Sequence, residues 1–211
     1  MQLVVLRHGR TQANEDHLYV GAHLDLPLSA NGRRDARACG FCTDVETVYV
    51  SPMLRARETA RICFPKAHQV PLEALREMDF GEFEGRSAES MADDAAYRSW
   101  IDGWCIGTCP GGEDVSDFTA RVNACVKRLL CESAEKGTER LVIAGHSGTV
   151  LATMNSFTEG PNAEGVVNGK AYFEWLVGNA EGYHAQVQFD DDGTPRLADP
   201  VHFTSLDFMN R

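Results

Sequence analysis

The chain has 211 residues and a formal net charge of -11, with 43% hydrophobic and 24% charged side chains. That length suits one α/β domain with a sizeable core, and the balance is that of an ordinary globular protein. The negative charge argues against nucleic acid or an anionic membrane as partner, so an anionic substrate must be drawn by a local cluster of arginines. No apolar run approaches the length of a transmembrane helix. No basic-then-apolar leader precedes the first strand, so the seven cysteines are expected to be reduced thiols in a cytoplasm.

Leu3-Val4-Val5-Leu6 reads as a buried strand that stops abruptly at Arg7-His8-Gly9. Ligands of parallel α/β sheets bind beyond the carboxyl ends of strands, so this strand delivers a cation and an imidazole to a functional edge. A polar loop follows, from Asn14 to Gly21. Ser29 caps a predicted helix running to about Cys42, with Gly40 near its end. Glu46–Val50 is a second strand, and Ser51-Pro52 opens a helix to about Cys63 that carries Arg55 in its first turn.

Leu75–Gly85 alternates acids, aromatics and glycines, as a constrained loop does. Residues 87–109 are predicted as a helix and loop forming a lid-like excursion. Trp100 and Trp104 lie there at the i, i+4 spacing of a packing pair. Pro110-Gly111-Gly112-Glu113-Asp114 opens a long amphipathic helix through Val115, Phe118, Val122, Val126, Leu129 and Leu130, stopped by Gly137. Arg140–Gly145 is the next buried strand, followed by His146-Ser147-Gly148 and an apolar helix from about Thr149 to Phe157. Ala171–Val177 and Tyr183–Phe189 are predicted strands, with Asp190–Gly193 as a hairpin turn. The triple-Asp run lacks the alternating spacing and distal Glu of a calcium loop.

Three strand-to-helix junctions thus carry Arg7-His8, Arg55 and His146. Two histidines and two arginines at one sheet edge suit phosphoryl transfer, which needs cations around the equatorial oxygens and an in-line nucleophile. Histidine is nucleophilic near neutral pH without a metal, and arginine forks bind phosphate bidentately. Backbone amides at the helix start after His146 add donors for an anion.

Several stretches together resemble the histidine phosphatase superfamily. They are Arg7-His8-Gly9-x-Thr11-x-x-Asn14, Pro27-Leu28-Ser29-x-x-Gly32, Ser51-Pro52-Met53-Leu54-Arg55-Ala56, Leu75-x-Glu77-x-x-Phe80-Gly81-x-x-Glu84-Gly85, Pro110-Gly111-Gly112-Glu113 and Gly145-His146-Ser147-Gly148. The resemblance runs from residue 3 to about 177. It implies a three-layer αβα fold with a mainly parallel central sheet, phosphoglycerate mutase-like, and a reaction through a phosphohistidine. By motif position it makes His8 the nucleophile and Glu77 the general acid. Arg7, Arg55 and His146 would bind the phosphoryl group, assisted by Asn14 and the Ser147 amide.

Within the superfamily the chain looks most like the small phosphatases similar to alpha-ribazole phosphatase, through Phe-Gly-x-x-Glu-Gly and Pro-Gly-Gly-Glu. It departs from them in having Arg10 where Glu or Gln is usual and Ala13 where Trp is common, both beside the phosphate loop. The phosphoglycerate mutases carry a longer excursion with extra bases, whereas residues 87–109 hold only Arg98.

The expectation is therefore one domain, 1–211, hydrolysing the phosphate monoester of a small metabolite. It requires no metal and no other cofactor, and its partner is a small phosphorylated metabolite rather than nucleic acid or a membrane. The sequence carries no signal for the oligomeric state. Rival readings are a mutase, a non-catalytic phospho-ligand binder, and a thiol or zinc protein built on Cys39-Gly-Phe-Cys42. That pair falls at a helix end, where the dipole opposes a thiolate, so two small packed thiols at helical spacing are expected instead. Glu82 and Glu84 compete with Glu77 as the acid. His17, His23, His68, His184 and His202 read as surface or loop histidines, with His23 the candidate among them to touch substrate.

Overall fold

The computed structural model describes residues 1–159 and 169–210. Six strands form one sheet in the order β3-β2-β4-β1-β5-β6. They are β1 (Gln2–Arg7), β2 (Thr47–Val50), β3 (His68–Pro71), β4 (Arg140–Gly145), β5 (Gly182–Phe189) and β6 (Pro195–Phe203). The first four run parallel; β5 pairs antiparallel with β1, and β6 with β5.

The unbroken apolar run of β1 divides between two cores. Leu3 and Val5 point into a core with the helices α5 (Val115–Glu135) and α6 (Ser147–Phe157), while Val4 and Leu6 point into one with α2 (Ala30–Ala38) and α3 (Leu54–Cys63). In β4, Leu141 and Ile143 alternate with Val142 and Ala144 in the same way. A sheet covered on both faces is what strands without a polar side require. The three-layer αβα architecture with a mainly parallel sheet is the one expected. Among the described residues, no helix is long and apolar enough to cross a membrane.

Two further helices are short. Gln12–Glu15 (α1) begins at Thr11, whose hydroxyl accepts the Asn14 amide while Asn14 Oδ1 accepts the Thr11 amide at 3.0 Å. Ala95–Asp102 (α4) begins at Asp94, which accepts the Ala96 and Tyr97 amides.

Several predicted elements need correction. The loop read from Asn14 onward begins only after Glu15, because Gln12–Glu15 forms α1, a single turn too short to show periodicity. The helix over Ser29–Cys42 ends at Ala38, with Gly40 at φ +99° turning the chain. Cys39 and Cys42 are therefore not at helical spacing, though both are buried in the second core. Trp104 lies outside α4 at φ +58° and is 51% exposed, so it does not form a packing pair with buried Trp100.

Ala171–Val177 is not a strand; Gly169–Trp175 is a 3-10 helix. Both flanks of β1 are occupied, by β4 and β5, and Tyr172 instead packs on the α5–α6 side, where its carbonyl accepts from Asn155 Nδ2 at 2.8 Å. Two strands escaped prediction: β3 is short and polar, and β6 contains Pro195 and Pro200. Both are edge strands, where proline and solvent-facing side chains are tolerated. The hairpin at Asp190–Gly193 is present, with Asp190 paired to Arg196 and Asp192 capping the Thr194 amide.

Candidate active site

The register of the parallel strands sets the site. Arg7 pairs with Gly145 across β1–β4, and Val50 pairs with Ala144 across β2–β4. β1 and β4 therefore end level and β2 one residue earlier, so the next residues, His8, His146 and Ser51, emerge at the same edge of the sheet. Backbone bonds extend the ladder one step beyond them: the His8 amide donates to Gly145 at 2.9 Å and the Ser51 amide to Ala144 at 3.0 Å.

The imidazoles of His8 and His146 meet edge to face, with centroids 5.2 Å apart. His8 Nδ1 lies 2.6 Å from the Gly9 carbonyl. A carbonyl can only accept, so Nδ1 carries the proton and Nε2 presents a lone pair. Burial and the nearby Arg55 and Arg7 charges push the His8 pKa well below the usual 6.5, keeping the ring neutral. His146 is lowered as well, by burial, Arg55, His8 and Arg7. Its Nε2 lies 2.7 Å from Ser51 Oγ, while its Nδ1 has no partner among the described residues.

Arg55 is fully buried in the first turn of α3, with Nη1 donating to Leu24 at 2.9 Å and Nη2 to Gly21 at 3.0 Å. Arg7 Nη1 donates to Val177 at 2.7 Å. In both guanidinium groups the buried Nε lacks a partner among the described residues. Buried, unneutralised donors of this kind are costly unless an anion completes them. Burial is the leading reason both arginines lose basicity, with Glu77 opposing it in each.

Glu77 is itself buried, at 6% exposure. Its Oε1 accepts the Met78 amide at 3.0 Å and its Oε2 the Gly148 amide at 3.3 Å. Burial raises its pKa above the usual 4.5 despite those amides and the two arginines. Gly148 is obligatory here: a Cβ would lie 2.3 Å from Glu77 Oε1 and 2.6 Å from Phe118. Five predicted residues, Arg7, His8, Arg55, Glu77 and His146, are thus coupled in one buried cluster. Ser147 opens α6 beside it.

The remaining predicted residues make further contacts. Asn14 spends its carboxamide oxygen on the Thr11 cap. The Glu84 carboxylate receives the His23 and Leu24 amides at 3.2 and 2.9 Å, clamping the loop that supplies Arg55's carbonyl partners. Glu82 is exposed. His23 is exposed and held by Asp79 at 2.8 Å. Arg10 pairs with Asp35 at 2.6 Å, and Ala13 is buried. Among the described residues, no group of three or more His, Cys, Asp or Glu side chains is placed to hold a metal.

Sequence reasoning overlooked two positioning residues. Ser51 stood as a strand end and a motif position, with no role of its own. Arg121, on α5, donates to the carbonyls of Ala74, Arg76 and Glu77 and pairs with Glu113 at 2.7 Å. It ties the acid-bearing loop to a rigid helix. Lying in an amphipathic helix, it reads as an ordinary solvated base, and only the Glu113–Arg121 spacing of two turns hints otherwise.

Comparison with known proteins agrees with this geometry. The family described as histidine phosphatase superfamily (branch 1) matches residues 3–186. The chain is 31% identical over 163 residues to a 2,3-bisphosphoglycerate-dependent phosphoglycerate mutase 2 of Gloeobacter violaceus, covering 72% of this chain and 73% of that protein. It is 32% identical over 158 residues to an adenosylcobalamin/alpha-ribazole phosphatase of Escherichia coli, covering 71% and 75%. Its fold superposes on a solved alpha-ribazole phosphatase from Shigella flexneri with a TM-score of 0.78 and 24% identity, covering 97% and 98%.

Proposed function

The chain belongs to the histidine phosphatase superfamily, and from that premise we propose that it hydrolyses the phosphate monoester of a small metabolite through a phosphohistidine on His8. The observation that carries this reading is the fixed tautomer of His8, whose free Nε2 faces a cluster of buried, incompletely paired arginines. In the first step, Nε2 attacks phosphorus as the ester P–O bond breaks, and Glu77 gives its proton to the departing alkoxide. In the second, water attacks the phosphohistidine, Glu77 takes the water proton, and inorganic phosphate leaves with His8 restored.

Arg7, Arg55 and His146 stabilise the phosphoryl oxygens in both steps, with Asn14 and the Ser147 amide assisting. A Ser51 hydroxyl donating to His146 Nε2 leaves Nδ1 protonated, so His146 is a neutral donor to the phosphoryl group. Electrostatic stabilisation of this kind is commonly the largest catalytic term. Burial moves Glu77 toward the protonated form that an acid catalyst needs.

We further propose that no metal takes part, because the nucleophile is a neutral imidazole that needs no activation. The seven cysteines are all free thiols, which supports a reducing, cytoplasmic setting. The test is a phosphoenzyme trap. Brief incubation with a monoester labelled in its phosphoryl group, then quenching in base, should leave acid-labile label on the wild-type protein and none on His8→Ala. Label retained on His8→Ala, or turnover abolished by a chelator and restored by zinc or magnesium, would overturn this reading.

A further inference from the structure

Beside Glu77 lies a cavity of about 420 Å³ that the phosphoryl-transfer steps do not use. Its walls come from Tyr19, Phe80, Trp100, Phe118, Tyr172 and Phe173, and its inner end from Glu77, Ser147 and Gly148. It therefore adjoins the Glu77 carboxyl, while Arg7, His8, Arg55 and His146 are not among its lining residues. On the phosphatase reading above, this is where the alcohol half of the substrate must go.

The walls are built to keep a fixed shape. Tyr19, Phe80 and Trp100 come from three different stretches and meet edge to face, with centroids 5.4 to 6.1 Å apart. Tyr19 and Tyr97 share a hydrogen bond at 3.0 Å, joining α4 to the loop after α1. Aromatic walls of this kind offer flat, polarisable contact to a ring. Leu176 extends the apolar lining to the mouth, where it is 57% exposed.

The cavity also lacks what an acidic leaving group would require. No lysine, arginine or histidine among the described residues lines it. Several cations of the neighbouring stretches are already engaged: Arg76, next to Glu77, with Glu73, Arg121 with Glu113, Arg86 with Asp94, and His23 with Asp79. Cys105, a lining thiol, has its pKa pushed up to about 11 by burial and stays neutral. A second phosphate or a carboxylate entering this space would lose water and gain no counter-charge from the described lining residues.

We propose that the cavity is the leaving-group site and that it selects an uncharged, aromatic alcohol, so the preferred substrates are arylalkyl phosphate monoesters rather than phosphorylated acids or bisphosphates. The volume is in the range of ordinary small-molecule pockets and holds one or two rings.

The test compares kcat/KM on three alkyl esters whose leaving alcohols make similar chemical demands: 2-phenylethyl phosphate, glycerol phosphate and 3-phosphoglycerate. A single well-placed methylene is worth ~10-fold or more in a hydrophobic pocket, so the arylalkyl ester should lead both others by at least about tenfold. Leu176→Arg, an exposed change that puts a cation at the mouth, should reduce the ratio of 2-phenylethyl phosphate to 3-phosphoglycerate at least about fivefold. Equal or better turnover of 3-phosphoglycerate by the wild type overturns the cavity's assignment and leaves the phosphatase reading intact. An unchanged ratio in Leu176→Arg overturns the cavity's assignment too. No turnover of any of the three overturns both readings.

Discussion

Ser51 Oγ sits 2.7 Å from His146 Nε2, joining the end of β2 to the end of β4. The Met53 amide, 3.4 Å from the same oxygen, takes up one of its acceptor positions. The hydroxyl proton is then available to Nε2, which leaves the ring proton on Nδ1, the nitrogen without a partner among the described residues. Ser51→Ala removes this restraint without touching substrate. A displacement of ~1 Å in a catalytic group costs up to ~10²-fold, so kcat should fall about tenfold or more with little change in melting temperature. Steady-state kinetics beside a thermal melt checks this; undiminished kcat would mean packing alone holds His146.

Gly148 gives a second prediction. A methyl group there would collide with Glu77 Oε1 and the Phe118 ring. Because the collision falls on the acid itself, Gly148→Ala should lower kcat by ~10²-fold while the protein still folds. A crystal structure of the variant should show the Glu77 carboxyl displaced from the Gly148 amide.

Arg121 acts through the loop and not on the substrate. Its three carbonyl contacts and the Glu113 pair hold residues 74–77 against α5. Hydrogen bonds to a charged group are each worth ~1.5–3 kcal/mol, so Arg121→Met should cost about 2 kcal/mol or more in denaturant unfolding and lower kcat as well. Arg121→Lys, which cannot reproduce the fork, should recover only part of either loss.

These cases show which parts of the site the sequence could reveal. His8, Arg55 and His146 follow strand ends, and a strand that is apolar throughout is easy to read, so their meeting at one edge was legible. The register that brings those ends to one edge, with Arg7 opposite Gly145 and Val50 opposite Ala144, has no local signature, and Ser51 gains its role only through it. Glu77 was legible as a motif position, but its burial depends on α5 and α6 packing over the loop. Gly169–Trp175 was misread because aromatic residues favour strands, while the actual determinant is that β1 has no free edge. Trp104 failed for a similar reason: spacing predicts a neighbour only while the helix continues, and α4 ends at Asp102.

Stability should fall in mild acid. His8 and His146 are buried with pKa values well below 6.5, so as the pH drops below about 6.5 the unfolded chain takes up protons that the folded one refuses. Each imidazole then removes up to ~1.4 kcal/mol per pH unit until its folded pKa is reached. Glu77 works in the opposite sense, since its raised pKa lets the folded state bind a proton first and regain stability as the pH falls toward 4.5. Urea midpoints measured from about pH 7 down to about pH 5 should decline in the wild type. The decline should be shallower in the His8→Asn/His146→Asn double variant; parallel curves would show that these rings do not set the acid limb.

The final prediction separates an acid catalyst from a structural carboxylate. Expelling an alkoxide is difficult, and a positioned acid contributes ~10²–10⁴-fold, in proportion to how poor the leaving group is. Glu77→Gln keeps shape and polarity and can still accept an amide hydrogen bond, yet cannot donate a carboxyl proton. It should cripple hydrolysis of an alkyl phosphate and damage that of an activated aryl phosphate much less. Glu82, exposed in the middle of its 3-10 turn, offers a control of the same charge, and Glu82→Gln should show no leaving-group dependence. Glu84→Gln should instead impair both substrates alike, because its carboxylate clamps the backbone that positions Arg55. If Glu77→Gln slows both esters equally, Glu77 is a structural anchor for the Gly148 amide. If Glu82→Gln carries the leaving-group signature, the proton comes from the surface carboxylate, and the raised pKa of Glu77 reflects burial without catalysis.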